Sequence, residues 1–402
     1  MKKGNKIRRY GNIYGRGAGS GSWQIIVAMA AGVLLFGVIG WSLYTPLQNW
    51  IERLGEEQPS SSSQQTPSSM PVSSQEQDTS TSQPAAAEPD GTQREPALQS
   101  RMEGIYLPVT LLGDPGVLSG FLERASAASL NTVVVEAKDA TGAVLYRSSN
   151  ELARSVGAND VSAYDPAAVA KTIRDAGFTP AVRLHAFRDS LAPAYAREAG
   201  VRYYDTESLW YDNDPEQGGK AWLNPCSQQA QDYILSLAGE LVESGFEMVL
   251  LDSVQFPSGV ALEKAGYGVE NPDRAKVLSD FVDRVRRTVE EKGATLVLCL
   301  PSDALLTGEE KTDAEISEIN RMIYGENPVS SLEGTVLLGL SNNLELARTL
   351  LQRAGEQNPQ VRWIGLLPAY RNDGSLLDCR AILSSVNPGE YLLYNPAGNY
   401  QL

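Results

Sequence analysis

From residue 103 to the C-terminus, short apolar runs alternate with longer stretches of helical character, and eight such runs occur. They are Gly104–Pro108, Thr132–Ala137, Pro180–His185, Glu247–Asp252, Thr295–Leu300, Thr335–Leu340, Val361–Leu367 and Tyr391–Tyr394. Most are apolar throughout rather than at every second residue, the pattern of strands covered on both faces. Between them the spacing predicts helices over 115–128, 166–176, 192–199, 227–244, 272–291, 343–354 and 377–385. Strands separated by helices pair in parallel through crossovers. Eight units in about 300 residues predict an α/β chain with one (β/α)8 TIM-like barrel carrying one or two extended loops. The rival is a doubly wound open sheet. No GxGxxG follows the first run, which weakens the dinucleotide-binding version of that rival.

What precedes the barrel has a different texture. Residues 1–22 hold six basic residues and no acidic one. From Trp23 to Tyr44 there is no charge, and about 20 apolar residues suffice to cross a ~30 Å hydrocarbon layer as a helix. Trp23, Trp41 and Tyr44 lie near its ends, where amphipathic rings settle. The basic excess before the span places the N-terminus in the cytoplasm and the rest outside. A cleaved signal peptide would have a shorter apolar stretch and a small-residue cleavage site. Residues 45–100, rich in Ser, Gln and Pro, lack the apolar periodicity that offsets ordering entropy. The predicted organisation is therefore a cytoplasmic basic tail (1–22), a transmembrane helix (23–44), a disordered linker (45–100) and a barrel domain (101–402).

Charge narrows the partners. The chain's net charge is −15 although residues 1–22 contribute +6, so the remainder sums to −21. An acidic surface of that size argues against nucleic acid, whose phosphates need Lys and Arg. It also repels anionic polymers unless a basic cleft exists. The three cysteines, Cys226, Cys299 and Cys379, show no metal-ligand spacing, and His185 is the sole histidine. Neither a zinc site nor a histidine-based triad is expected, and no cofactor is implied. Cys299 sits in an apolar run and reads as a small hydrophobe; a Cys226–Cys379 bridge stays open.

In a barrel of this kind the chemistry sits at the C-terminal ends of the strands. The second run ends in Glu136-Ala-Lys138-Asp139, and the third in Arg183-Leu-His185 followed by Arg188 and Asp189. The fourth ends in Asp252-Ser-Val-Gln255-Phe-Pro257, the fifth in Pro301-Ser302-Asp303, and the eighth in Tyr394-Asn395. Asp252 is the leading catalytic candidate, because it closes an apolar strand that would deliver it to the mouth. A loop-capping aspartate that bonds the backbone near Phe256-Pro257 is the alternative reading. Glu136 and Asp303 are the candidate partners; ion pairing for the first and N-capping for the second are their bland readings. Lys138, Asp139, Arg183, His185, Asp189, Gln255, Tyr394 and Asn395 complete the ring as candidate substrate-binding groups. Lys138, Arg183 and Asp189 could equally form a structural ion-pair network. Trp210 and Trp222, in the long loop after the third run, are placed to stack on sugar rings.

These segments resemble a bacterial family of glycosyl hydrolase domains, barrels named largely by analogy with carbohydrate-cleaving enzymes. The resemblance is carried by Asn131-Thr-Val-Val-Val-Glu-Ala-Lys-Asp139 with Gly142, by Val182-Arg-Leu-His-Ala-Phe-Arg-Asp189 and by Trp222-Leu-Asn-Pro225. Further along, Gly245-Phe-Glu-Met-Val-Leu-Leu-Asp252 with Phe256-Pro257 and the terminal Tyr391-Leu-Leu-Tyr-Asn395 continue it in the same order. It implies a glycoside hydrolase that works with two carboxyl groups, one as proton donor and one as ionised nucleophile or base. The chain departs from the family at Gln255, where an arginine is usual, and at Cys299, where the fifth strand carries an aspartate. Two functions follow as expectations. The first is a membrane-tethered hydrolase of a cell-envelope or external polysaccharide, including a peptidoglycan-type glycan. The second is a degenerate barrel that binds a glycan or protein without cleaving it.

Overall fold

The computed structural model describes residues 101–157, 162–301, 332–339, 344–369, 380–381, 383–386 and 389–402. The predicted tail, membrane span and linker lie outside the described residues, as do Asp303 and Cys379.

All eight runs are strands: β1 (Glu103–Leu107), β2 (Thr132–Lys138), β3 (Thr179–His185), β4 (Met248–Asp252), β5 (Thr295–Pro301), β6 (Thr335–Gly339), β7 (Arg362–Pro368) and β8 (Glu390–Tyr394). They close into one parallel barrel in sequence order, with β8 returning to pair with β1. A closed ring has no free edge, so the open-sheet alternative is excluded.

Five longer helices alternate with these strands: α1 (Pro115–Ala127), α2 (Pro166–Asp175), α3 (Gln228–Glu243), α4 (Arg274–Glu290) and α5 (Leu344–Gln357). Their starts are written in the sequence. Asp114, Asp165, Ser227 and Asp273 each accept a backbone N–H of the first turn, and proline follows two of them. Each such cap contributes about 1 kcal/mol. In α3 the buried positions Ala230, Tyr233, Ile234, Leu237, Ala238 and Leu241 fall on one stripe, which packs on the barrel's outer wall.

The barrel is filled rather than hollow. Its inner lining includes Tyr106, Val134, Ala181, Leu250, Val297, Cys299, Leu337, Ile364 and Leu392, separate from the larger core between strands and helices. The predicted helix over 192–199 differs. It is one turn, Ala192–Tyr195, then a 3-10 turn at Arg197–Ala199, because Ala196 is pulled out of helical geometry (φ −128°, ψ 76°). The loop beyond it is tied down by an antiparallel ladder of Arg202–Tyr203 with Ala265–Gly266. That ladder joins the β3–α3 and β4–α4 loops at the C-terminal face.

Candidate active site at the barrel mouth

Strands β2, β3 and β4 deliver four charged or titratable side chains to one place. Register does this directly: Glu136 lies opposite Arg183, and His185 opposite Asp252. A bulge interrupts the β2–β3 ladder between Glu136 and Lys138, so the end of β2 is re-aimed just where chemistry is expected.

Arg183 organises the cluster. Its Nε and Nη2 both donate to Asp252 Oδ2, at 3.0 and 2.5 Å, and its Nη1 lies 3.8 Å from Glu136 Oε2. His185 spans the same two acids, with Nε2 3.5 Å from Glu136 Oε1 and Nδ1 3.6 Å from Asp252 Oδ1. One guanidinium and one imidazole therefore touch both carboxyl groups, so the acids lie no more than roughly 9 Å apart, below the ~9.5 Å upper limit for glycosidase pairs. Among the four, Asp252 is the most open, with 20% of its side chain exposed against 7% for Glu136.

The environments push the two acids apart. Burial raises Glu136 to about 7; the Asp252 charge adds to this and Arg183 only partly opposes it. Burial would raise Asp252 as well, but Arg183, then His185 and the hydrogen bonds to its carboxylate, outweigh it and bring it down to about 2. Burial lowers His185 to about 4, so its imidazole is neutral at pH 7. Arg183 loses some basicity to burial but gains more from Asp252 and Glu136, and stays charged. At neutral pH the mouth thus holds one firm anion, one acid near half-protonation and one cation between them. Divergent pKa values in neighbouring carboxyl groups are the mark of an acid and base assignment.

Aromatic and sulfur groups complete the wall. The rings of Tyr106 and Tyr394 lie 4.8 Å apart, and the Arg183 guanidinium sits 5.5 Å from the Tyr394 ring. Burial, then the Glu136 charge, raises the Tyr106 phenol, and burial pushes the Cys299 thiol up, so neither ionises at neutral pH.

Other sequence candidates are placed differently. Lys138 and Asp189 form a fully buried ion pair at 2.9 Å, and Lys138 also donates to the His185 carbonyl. Asp189 Oδ1 accepts the Leu191 and Ala192 N–H groups. Gly142 (φ +102°) is required beside it, because a Cβ there would lie 2.0 Å from Asp189 Oδ1. These two residues brace the mouth from below instead of facing a substrate. Asp139 spends Oδ1 on the backbone N–H groups of Thr141, Gly142 and Ala143, shaping the loop after β2. Asn395 is buried and holds the C-terminal turn through Asn399 and Ala397.

Trp210 and Trp222 correct the expectation of sugar platforms. Trp210 has no exposed surface and Trp222 only 3%; their indole N–H groups donate to the Ala261 carbonyl and to Asp212 Oδ2. A large apolar ring in a long loop is also what anchors that loop, and here anchoring prevails. Gln255 is half-buried in the loop after β4.

Ser253 carried no visible sequence signal. Its φ is +56°, an unusual value for a residue with a Cβ. Its backbone N–H donates to Asp252 Oδ1 at 2.5 Å, and its hydroxyl lies 2.8 Å from His185 Nδ1 and 3.2 Å from Asp252 Oδ1. Strain next to the leading acid is a pointer that only coordinates reveal.

The chain is similar in fold to solved structures. The glycoside hydrolase domain of PgaB (BpsB) from Bordetella bronchiseptica aligns over 73% of this chain and 94% of its own, at 15% identity and a TM-score of 0.50. A hypothetical protein from Ruminiclostridium thermocellum aligns over 48% of this chain and 96% of its own, at 25% identity and a TM-score of 0.43. The α-galactosidase TtGalA from Thermus thermophilus aligns over 75% of this chain and 60% of its own, at 13% identity and a TM-score of 0.42. No curated protein matches the chain. Residues 104–300, which run from β1 into β5 and hold every member of the carboxylate cluster, match the family described as "Putative glycosyl hydrolase domain". That stretch of the chain is similar to this family, and here it forms the first five strands of a closed eight-stranded parallel barrel.

Proposed function

We propose that the barrel is a glycoside hydrolase in which Glu136 donates the proton and Asp252 acts as the ionised nucleophile or base. The observation that carries this reading is the opposed titration of two acids held by one arginine, Glu136 near 7 and Asp252 near 2. A protonated Glu136 can protonate a leaving glycosidic oxygen, while Asp252, the more open of the two, faces the incoming carbon or water. Arg183 then has two tasks. It keeps Asp252 ionised, and it offsets the negative charge that appears on Glu136 once its proton has gone. The half-buried Tyr394 offers ring surface at the mouth, backed by the buried Tyr106 ring.

The substrate is a polysaccharide of low negative charge, since the domain and its linker are strongly acidic and an anionic polymer would be repelled. The uncharged span over 23–44 and the polar linker over 45–100 support a place outside the cell, tethered to the membrane by one helix, with an envelope or external glycan within reach. The test is release of reducing ends from a panel of neutral and amino-sugar glycans by the purified chain. Asp252→Asn and Glu136→Gln should each abolish release while circular dichroism stays native. Equal turnover by the wild type and both variants would sink the assignment.

One observation favours a second reading, a barrel that binds glycan without cleaving it. Asp252 Oδ2 is engaged twice by Arg183 and Oδ1 by the Ser253 N–H, so its lone pairs are largely committed. On that reading calorimetry shows saturable glycan binding that persists in Asp252→Asn, with no product formed over days.

A further inference from the structure

The hydrolase reading uses Glu136, Asp252 and Arg183 but leaves His185 and Ser253 without a task. Yet these two form a continuous bridge between the acids. Glu136 Oε1 is buried with no hydrogen-bond partner among the described residues, and His185 Nε2 is the nitrogen facing it at 3.5 Å. The other ring nitrogen meets Ser253 Oγ at 2.8 Å, and that oxygen lies 3.2 Å from Asp252 Oδ1. A serine hydroxyl has one proton and can give it to only one acceptor at a time.

We propose that His185 and Ser253 form a hydrogen-bond switch that reads the protonation of Glu136 and reports it to Asp252. The heavy atoms fit two proton arrangements. When Glu136 carries its proton on Oε1, that proton points at a bare Nε2. The ring proton is on Nδ1 and donates to Ser253 Oγ, and the serine hydroxyl donates to Asp252. When Glu136 has lost its proton, Oε1 is an anionic acceptor and the ring holds its proton on Nε2 instead. Nδ1 is then bare and draws the serine hydroxyl away from Asp252. The ring keeps one proton throughout: one leaves Nδ1 to solvent as another arrives at Nε2, and the only net loss is the proton that left Glu136. As the acid discharges, Asp252 therefore loses a hydrogen bond and becomes a better base or nucleophile. His185 and Ser253 are positioning residues in this scheme; neither touches the reacting atoms.

The surroundings leave room for a neutral ring to do this. Facing the imidazole are Glu136, Lys138 and Asp139 from the β2 end, Arg183 on its own strand and Asp252 on β4. Facing Glu136 there is also Tyr106 from β1, and the Tyr164 hydroxyl donates to its backbone carbonyl. Burial and the nearby cations keep the ring from taking a second proton near neutrality, so what responds to Glu136 is the tautomer and not the ring charge.

His185 is the chain's sole histidine, so its imidazole nitrogens give an unambiguous nitrogen-15 NMR signature in the full-length protein. Between about pH 5.5 and 8.5 the ring should stay neutral while its shifts pass from the Nδ1–H to the Nε2–H pattern, with a midpoint near the Glu136 titration. The transition should vanish in Glu136→Gln and move by about 0.5–1 pH unit in Ser253→Ala, the effect of one hydrogen bond. A single tautomer across that range in the wild type overturns the proposal, as does a transition that survives unchanged in Glu136→Gln. This measurement rests on the reading of Glu136 as the acid but needs no substrate. If the tautomer switches and no glycan is cleaved, the switch stands and the hydrolase assignment falls; if glycan is cleaved while the tautomer is fixed, the reverse holds.

Discussion

The barrel carries a part-buried carboxylate–arginine pair at each end, and the two are built differently. At the floor, Glu390 at the start of β8 is 2% exposed; its Oε2 accepts from Arg362 Nε at 2.8 Å, and its Oε1 accepts from Arg362 Nη2 and from the Met102 N–H. Both oxygens are satisfied and the pair ties the entry of β1 to β7 and β8. At the mouth, Asp252 has an equally close arginine, but a second acid shares that arginine, one oxygen of that acid lacks a hydrogen bond among the described residues, and Ser253 after Asp252 is strained. Opposite charges alone do not distinguish a strut from a reactive site. An unfilled hydrogen-bonding capacity, together with a competing carboxylate, does.

The largest effect expected from this contrast is in rate. Asp252→Asn should lower turnover of the folded fraction on a cleaved glycan by on the order of 10³-fold, far beyond any loss that follows from leaving Arg183 short of a partner. Glu390→Gln should do the opposite. Removing one charge of a buried pair costs about 3 kcal/mol in urea denaturation, with turnover of the folded fraction preserved. If Glu390→Gln abolished turnover without loss of stability, the distinction between floor and mouth would fail.

The buried Lys138–Asp189 pair belongs, on this view, with the struts although it lies near the mouth. Both side chains are fully inaccessible, and Asp189 also holds the N–H groups at 191 and 192. Asp189→Ala should cost about 3–5 kcal/mol by the same measurement, since it strands a buried ammonium. Glycan affinity measured on the folded fraction should not change.

Next in size is the response to pH. Glu136 has a folded pKa of about 7 against 4.5 for a free glutamate, so the folded state binds more protons than the unfolded one between those values. Stability therefore falls as pH rises from about 4.5 through 7, by about 3 kcal/mol from this group alone. Asp252, depressed to about 2 from 3.8, works in the other direction: its contribution is present above 3.8 and is lost as pH falls toward 2. Activity should fall above pH 7 as the acid ionises. In Glu136→Gln the stability slope between 4.5 and 7 should flatten, and an unchanged slope would show that some other group titrates there.

How much of this was legible in the sequence follows the same division. The strands were legible because each is an apolar run bounded by turn residues, and a parallel barrel demands such runs. Glu136, Arg183, His185 and Asp252 were legible because each ends a run, and strand ends converge at one face. Trp210 and Trp222 misled because composition does not say whether a loop aromatic faces water or anchors the loop. Lys138 and Asp189 were readable as either mouth or strut, and the bulge that decides between them has no sequence mark. Glu390 was passed over because it stands just before the apolar run Tyr391–Tyr394, at the floor end of the strand. Ser253 was silent because its importance is a backbone angle.

That angle allows the finest test. Each end of the barrel needs a left-handed backbone beside its carboxylate, and the chain answers differently. At the floor it uses Gly389 (φ +70°), immediately before Glu390; at the mouth it uses Ser253 (φ +56°), immediately after Asp252. Glycine adopts this region freely, whereas a residue with a Cβ gives up about 1 kcal/mol. A Cβ at 389 would in addition lie 2.5 Å from the Leu383 carbonyl oxygen, so Gly389→Ala should be destabilising by clearly more than that. At 253 both Ala and Gly remove the hydroxyl, so comparing them isolates the strain. Ser253→Gly should be more stable than Ser253→Ala by about 1 kcal/mol in urea denaturation. If the two proved equally stable, the left-handed geometry at Ser253 would carry no cost. The serine would then be kept for its hydroxyl alone, and tolerance of backbone strain would no longer separate the mouth from the floor.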